Sequence, residues 1–334
     1  MREGAHSVIK SIRYVLMMLS FGLTPLVPAS AQISSYPSRA VTIVVAFAPG
    51  GATDVLARAV AQRLSEAWGR PVIIENKGGA STQIGASYVA KSTPDGYTLL
   101  ATADTTFVIN PHLFRKLSYD PDKDFLPISG LGKINQALVV HPSVPMQTVG
   151  DLVAAAKANP GTLNYGSFGV GSAPHLSMEL LQALVGIKLN AVHYKGGGPA
   201  LIDVIAGHIP MMFINVGLMV QPWEAGQLRP LAIGSDERLS RFPQIPTVAE
   251  TIGGFKAAYW FGLFAPRGTP ASIVAKINDD VQRIMMSPDF REKFLDPNFY
   301  APSLGTPEQF ASEIKADAEH WGKIIKDANL PIEE

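Results

Sequence analysis

None of the 334 residues is cysteine. That absence excludes a disulfide framework, a thiolate zinc site, an iron–sulfur cluster and a cysteine nucleophile. Neither sign of charge is in excess, with 28 Lys+Arg against 28 Asp+Glu. A nucleic-acid binder normally carries a basic face to neutralise phosphates, so no nucleic-acid partner is expected. Charged residues are few at 17% against 47% hydrophobic, the reverse of the balance that keeps a chain unfolded. The length suits two domains, each able to bury a core. Catalytic grammar is missing too: the chain has no G-x-x-x-x-G-K-[ST] loop, no G-x-S-x-G elbow and no H-E-x-x-H. The seven histidines, at 6, 112, 141, 175, 193, 208 and 320, form no close pair with metal-ligand spacing. No metal, cofactor or catalytic residue is therefore expected. Asp54 and Asp104 could act as an acid–base pair only if the fold joined them.

Residues 1–31 read as an export leader. Arg2, Lys10 and Arg13 give a basic start, an apolar stretch runs from Tyr14 to about Val27, and Ala29-Ser30-Ala31 is a small-x-small cleavage pattern. The apolar run is short for a membrane-spanning helix, which needs roughly 20 residues, and Thr24, Pro25 and Pro28 interrupt it. Cleavage near Ala31 leaves 25 basic and 27 acidic residues, a formal charge of −2.

Beyond the leader, a repeated grammar appears. Val41–Phe47 is a β-branched apolar run, broken by Pro49-Gly50-Gly51 and followed from Thr53 by a helix with Val55, Leu56, Ala59, Val60 and Leu64 on one face. Val72-Ile73-Ile74, a glycine turn and a helix from about Thr82 to Lys91 repeat it, and Tyr97–Ala101 is a further strand. The pattern returns at Leu163–Tyr165 before the helix through Met178, Leu181 and Leu184. It returns again at Asn190–Tyr194 before the helix Ala200–Ala206, and Ile209–Asn215 is strand-like. Two amphipathic helices, Ala271–Met286 and Pro307–Ala328, close the chain. Strand, glycine turn, helix, repeated, predicts α/β modules with mainly parallel sheets.

Four loops, 47–54, 76–82, 166–172 and 195–199, join a strand end to a helix start. Ligands of open parallel sheets bind at such strand ends, where glycine lets backbone approach closely and helix starts present free N–H groups. Thr53, Ser81, Thr82, Ser167 and Ser172 add hydroxyls. Taken singly, each loop is explained by an ordinary turn in which Thr53, Ser81 or Ser172 caps a helix, and Asp54 by the helix dipole. Together they point to a cleft for a small anion, most simply a carboxylate.

At these loops the chain resembles the Bug-type periplasmic solute receptors of the tripartite tricarboxylate transporter family. The resemblance rests on Tyr36-Pro37-Ser38-Arg39, Phe47-x-Pro49-Gly50-Gly51-x-x-Asp54-x-x-Ala57-Arg58 and Pro94-Asp95-Gly96-Tyr97-Thr98-Leu99. It continues through Tyr165–Ser172-x-x-His175, Tyr194-Lys195-Gly196-x-x-Pro199-Ala200 and Ala265-Pro266-x-Gly268-Thr269-Pro270. The resemblance implies a two-lobed periplasmic-binding-protein architecture, type II-like, with crossover strands and a Venus-flytrap closure. Lobe one would span 32–132 and 252–334, and lobe two 133–251. It implies a monomer in the periplasm that captures a small di-, tri- or aromatic carboxylate and delivers it to membrane permease subunits, without acting as an enzyme. Carried onto this chain, the first-lobe contacts are Phe47, Gly50, Gly51, Thr53 and Asp54. Those of the second lobe are Ser167, Gly169, Gly171, Ser172, His175, Lys195 and Gly196.

The chain departs from the family at three places. The family loop commonly reads N-x-P-G-A-G-G; here Asn76-Lys77-Gly78-Gly79-Ala80-Ser81-Thr82 puts two hydroxyls in place of two glycines. Gly79, Ala80, Ser81 and Thr82 are expected at the ligand. Asp104 and Thr105 stand where neutral small residues are commoner, and an acid there repels a carboxylate unless protonated. Ile214 replaces a frequent aspartate before Asn215, a further expected contact. A sensor acting through a signalling partner, or a hydrolase or lyase acting on a carboxylate in the same cleft, are the alternatives.

Overall fold

The computed structural model describes residues 36–194, 196–235, 237–255, 257, 259–327 and 332. The expected leader and Lys195 lie outside the described residues. Pro37–Glu334 is one compact unit built on two sheets.

The first sheet has six strands in the order β11-β4-β10-β3-β1-β2. These are β1 Val41–Val45, β2 Val72–Asn76, β3 Thr98–Ala103, β4 Phe125–Ile134, β10 Tyr259–Pro266 and β11 Tyr300–Ala301. β1 pairs in parallel with β2 and β3, while β10, β4 and β11 add antiparallel ladders. The second sheet has five strands in the order β7-β6-β8-β5-β9, namely β5 Gln136–Val140, β6 Asn164–Ser167, β7 Asn190–His193, β8 Met211–Asn215 and β9 Arg229–Ile233. Here β6 runs parallel to β7 and β8, and β5 antiparallel to β8 and β9. Both sheets are mixed for one reason. Strands followed by a glycine loop and a helix are parallel, and those that carry the chain between sheets enter against them. Only Asn135 separates β4 from β5.

The helices that cover the sheets are α1 Ala52–Trp68, α2 Gln83–Ala90, α3 Asn110–Leu113, α4 Val149–Ala158, α5 Ala173–Val185, α6 Gly197–Ile205, α7 Val216–Glu224, α8 Val248–Thr251, α9 Ala271–Met286, α10 Pro288–Phe290 and α11 Pro307–Asp327. π-helical turns occupy Thr105–Ile109 and Arg291–Leu295. In α1 the buried face is Thr53, Leu56, Ala57, Val60, Ala61 and Leu64. Val55, expected on that face, is 37% exposed, because the face is centred on the 53/57/61 and 56/60/64 rows, and Val55 falls outside them. Gly69 ends α1 in the left-handed region, the usual helix stop. Among the described residues no helix is long and apolar enough to cross a membrane.

Contacts beside the crossover join the lobes. The Tyr259 hydroxyl, from β10, donates to the Ala173 carbonyl at 2.8 Å and lies 2.8 Å from Ser177 Oγ, both on α5. Phe299, beside β11, stacks on Phe242 at 5.4 Å beneath Arg241, and so enters the second core.

Candidate functional site

In the first lobe two glycine loops form one unit. A Cβ on Gly78 would lie 2.8 Å from Ala48 N and 2.9 Å from the Phe47 carbonyl carbon, so the 76–82 loop packs backbone to backbone on the 47–51 loop, and only glycine fits. Asp54 ties the pair. Its Oδ2 accepts from Gly50 N at 2.9 Å and Arg58 Nε at 2.9 Å, and its Oδ1 accepts from Asn76 Nδ2 at 2.8 Å. The same amide reaches the Phe47 carbonyl at 3.1 Å. Asp54 is 2% exposed. Burial would raise its pKa, but hydrogen bonds from Arg58, Gly50 and Asn76 outweigh burial and hold it below the usual carboxylate range. Both oxygens are committed inside the lobe, so Asp54 shapes the loops. Phe47 is half-buried and Thr53 buried.

The second lobe repeats the arrangement. A Cβ on Gly197 would lie 2.9 Å from the Phe168 ring, which joins the loop after β6 to the one after β7. The 166–172 loop spends its polar groups on itself. Gly169 N donates to Ser167 Oγ, Ser172 Oγ donates to the Gly169 carbonyl at 2.6 Å, and Gly171 N donates to His175 Nδ1 at 3.1 Å. Accepting at Nδ1 fixes His175 as the tautomer with its proton on Nε2, which faces Glu179 at 3.7 Å. Burial, helped by neighbouring His193, lowers the His175 pKa to about 4. Ser167 Oγ also lies 2.6 Å from His193 Nδ1. That has the form of a nucleophile–base contact, but Ser167 is fully buried, and no acid orients His193 among the described residues. Gly196 leads α6, and Asn215 leads α7 from the end of β8, the neighbour of β6.

The helix starts after these loops share a property. Gly51, Thr82, Ser172, Gly196 and Asn215 occupy the N-cap positions of α1, α2, α5, α6 and α7, and none makes a side-chain cap hydrogen bond. By contrast, α4 and α8 each carry a complete capping box, Thr148 with Asp151 and Thr247 with Glu250. The capping role considered for Thr53, Ser81 and Ser172 is thus not what these hydroxyls do. Uncapped N–H groups and the positive end of the dipole are what an anion needs. The lobes approach each other here: a Cβ on Gly171 would meet Leu113 Cδ1 at 3.0 Å.

The model of the tripartite tricarboxylate transporter family receptor matches residues 56–330. The chain belongs to this family. Relatives agree. Protein BugT of Bordetella pertussis is 32% identical over 308 residues, covering 92% of this chain and 94% of BugT. Two solved structures share the fold. Rpa4515 of R. palustris with adipate has a TM-score of 0.83 and 37% identity, covering 88% of this chain and 98% of its own. MatC from Rhodopseudomonas palustris with bound malate has 0.78 and 32%, covering 87% and 100%. The two-lobed periplasmic-binding-protein architecture is therefore that of this chain.

Within this receptor, Asp104 is buried against the sheet. Its Oδ1 accepts from Thr105 N at 2.7 Å and its N–H donates to the Trp260 carbonyl, while Oδ2 is buried without a partner. Burial raises its pKa to about 8, with the nearby Asp317 carboxyl adding to the rise. Burial thus favours the neutral acid, which weakens the charge repulsion considered for it. Thr105 directs its N–H and hydroxyl to Asp104. Ser81 is half-buried, and Thr82 is buried in a hydroxyl chain with Thr106 and Asn110. Asn76 and Asn110 were missed as site residues. Asn76 has a signal in sequence, since it opens the family's loop. Asn110 has none, because Asn-Pro reads as an ordinary turn.

Proposed function

We propose that this receptor captures a small carboxylate between its lobes, on the loops after β1, β2, β6 and β7, and delivers it to membrane permease subunits. The observation that carries this reading is the contrast in capping. Helix starts after strand ends of both lobes lack side-chain caps, as do α3 and α9, while α4 and α8 have complete boxes. Adipate and malate in the two related structures support the ligand class. Two cations beside the loops are already paired, Arg58 with Asp54 and Lys77 with Glu75, which favours N–H groups and hydroxyls as the holders of the anion. On this reading Phe47, Gly50, Gly51 and Thr53 serve the ligand from one side, with Gly79, Ala80, Ser81 and Thr82. Lys195, Gly196, Asn215 and the start of α5 behind Ser172 serve it from the other, while Ser167, Gly169 and Gly171 hold their loop in shape through its own hydrogen bonds. Asp54 and His175 set loop shape.

Lobe one comprises 32–132 and 252–334 and lobe two 133–251, and closure is a hinge motion at the crossover. Ligand contacts from both lobes favour the closed form. The protein works as an exported monomer in the periplasm and binds without turnover. Mass spectrometry of solute released from freshly purified, denatured protein tests the reading. A small carboxylic acid near one per chain is expected, and a solute without a carboxyl group would overturn it.

A further inference from the structure

The loop that departs from its family is left-handed without being glycine. Ala80, Ser81 and Thr82 have φ of 45°, 48° and 75°. In that region the Cβ crowds the following carbonyl, and a β-branched threonine is the least suited to it. Such backbone persists only where its surroundings impose it.

Asn110 imposes it. This fully buried side chain points Nδ2 at the Ser81 carbonyl, 2.7 Å away, at Thr82 Oγ1, 3.3 Å, and at the Tyr119 hydroxyl, 3.2 Å. Thr82 Oγ1 also accepts from Thr106 Oγ1 at 2.8 Å, and Thr106 lies 2.6 Å from Thr102 Oγ1. Asn110 Oδ1 is buried without a partner, which costs the fold the desolvation of that oxygen. Turning the amide over would set its oxygen against the Ser81 carbonyl, so the turn itself dictates which way the amide faces. A peptide unit is planar and trans. With the Ser81 carbonyl held toward Asn110, the Thr82 N–H is sent to the opposite side. Asn110 also opens α3, whose Leu113 meets Gly171 of the other lobe.

Resting on the reading of 76–82 as a ligand loop, we propose that Asn110 is a positioning residue. It holds Ser81–Thr82 in the left-handed turn, and so sets the donors this loop offers and the carboxylates it accepts. The experiment places Asn110→Ala and Asn110→Asp in the natural loop and in a Ser81→Gly, Thr82→Gly background, since glycine adopts this backbone unaided. Adipate and malate are titrated calorimetrically, and amide exchange is followed in the natural loop at Gln83 and Ala86, whose N–H groups donate to the Ala80 and Thr82 carbonyls. There, both Asn110 variants should speed exchange and change the adipate-to-malate affinity ratio, each by about 10-fold. In the glycine background the ratio should move less than about 3-fold on the same substitutions. Equal ratio changes in both backgrounds, unchanged exchange, or a fall in unfolding midpoint with the ratio intact would overturn the proposal. If the natural protein binds neither probe, that counts against the reading of 76–82 as a ligand loop for these acids, and the exchange measurement alone decides whether Asn110 holds the turn.

Discussion

Asp54 and Asn76 meet at 2.8 Å, Nδ2 to Oδ1, across two glycine loops that follow different strands. With Gly50 N and Arg58 Nε on the other oxygen, one carboxylate fixes the shape of half the candidate site. A carboxylate so committed is a brace, and its loss should be felt in both stability and binding.

Asp54→Ala removes the buried acceptor shared by Gly50 N, Asn76 Nδ2 and Arg58 Nε, and should cost about 1–3 kcal/mol in denaturant unfolding. Because the folded pKa lies below the ordinary 3.8, the stabilisation is present above that value and lost as pH falls through the folded pKa. The stability gap between natural protein and variant should therefore close in acid. A gap independent of pH would contradict the brace.

Ser81→Gly should raise stability by about 1 kcal/mol, since it removes a side chain from the left-handed region and the Ser81 hydroxyl is not part of the Thr102–Thr106–Thr82 chain. Thr82→Gly should gain less or lose, because the hydroxyl that accepts from Thr106 and Asn110 goes with it. Thermal unfolding of both variants, with a titration of each against adipate and malate, checks the order.

Asp104 predicts the opposite pH trend to Asp54. Between its ordinary 3.8 and about 8 the unfolded chain ionises this group and the folded protein does not. Stability then falls as pH rises across that window, by up to about 1.4 kcal/mol per unit from this group. Asp317, also raised by burial, adds the same sign. Asp104→Asn should flatten the slope toward pH 8. An unchanged slope in urea unfolding would show that the carboxyl is ionised in the folded protein.

His175 gives a third trend. Its folded pKa, about 4, lies below the ordinary 6.5, so stability is full above 6.5 and declines as pH drops toward 4. Protonation would also take Nδ1 from Gly171 N. His175→Gln should weaken that decline and loosen the 169–172 loop, seen as faster amide exchange at Gly171, with no turnover of ligand to abolish. Loss of a measurable turnover would instead favour a hydrolase or lyase.

Much of this was legible in the chain. The glycine turns after short strand-like runs located β1, β2, β6 and β7 and the helices behind them, because period and turn chemistry are local properties. The tail helix Ala271–Met286 is found as expected. The crossover strands β4 and β5 were not read, since their pairing is set by distant partners. Nor could sequence say that Asp104 is buried within reach of the Asp317 charge, that Asp54 and His175 spend themselves on backbone N–H groups, or that Ser81 and Thr82 keep a backbone usually left to glycine. Each depends on a partner far along the chain: Trp260, Asn76 and Asn110 respectively for Asp104, Asp54 and the turn. His175 is the exception, bonded four residues away, but a helical pattern does not reveal which nitrogen faces the loop.

The central claim is that uncapped helix starts in both lobes hold an anionic carboxyl group. Calorimetric titration of a panel of small carboxylic acids beside their methyl esters tests it most directly. The account predicts saturable one-to-one binding of at least one acid, with its ester weaker by about 100-fold or more. Esters that bind as tightly as their acids, or no binding by any acid in the panel, would contradict it.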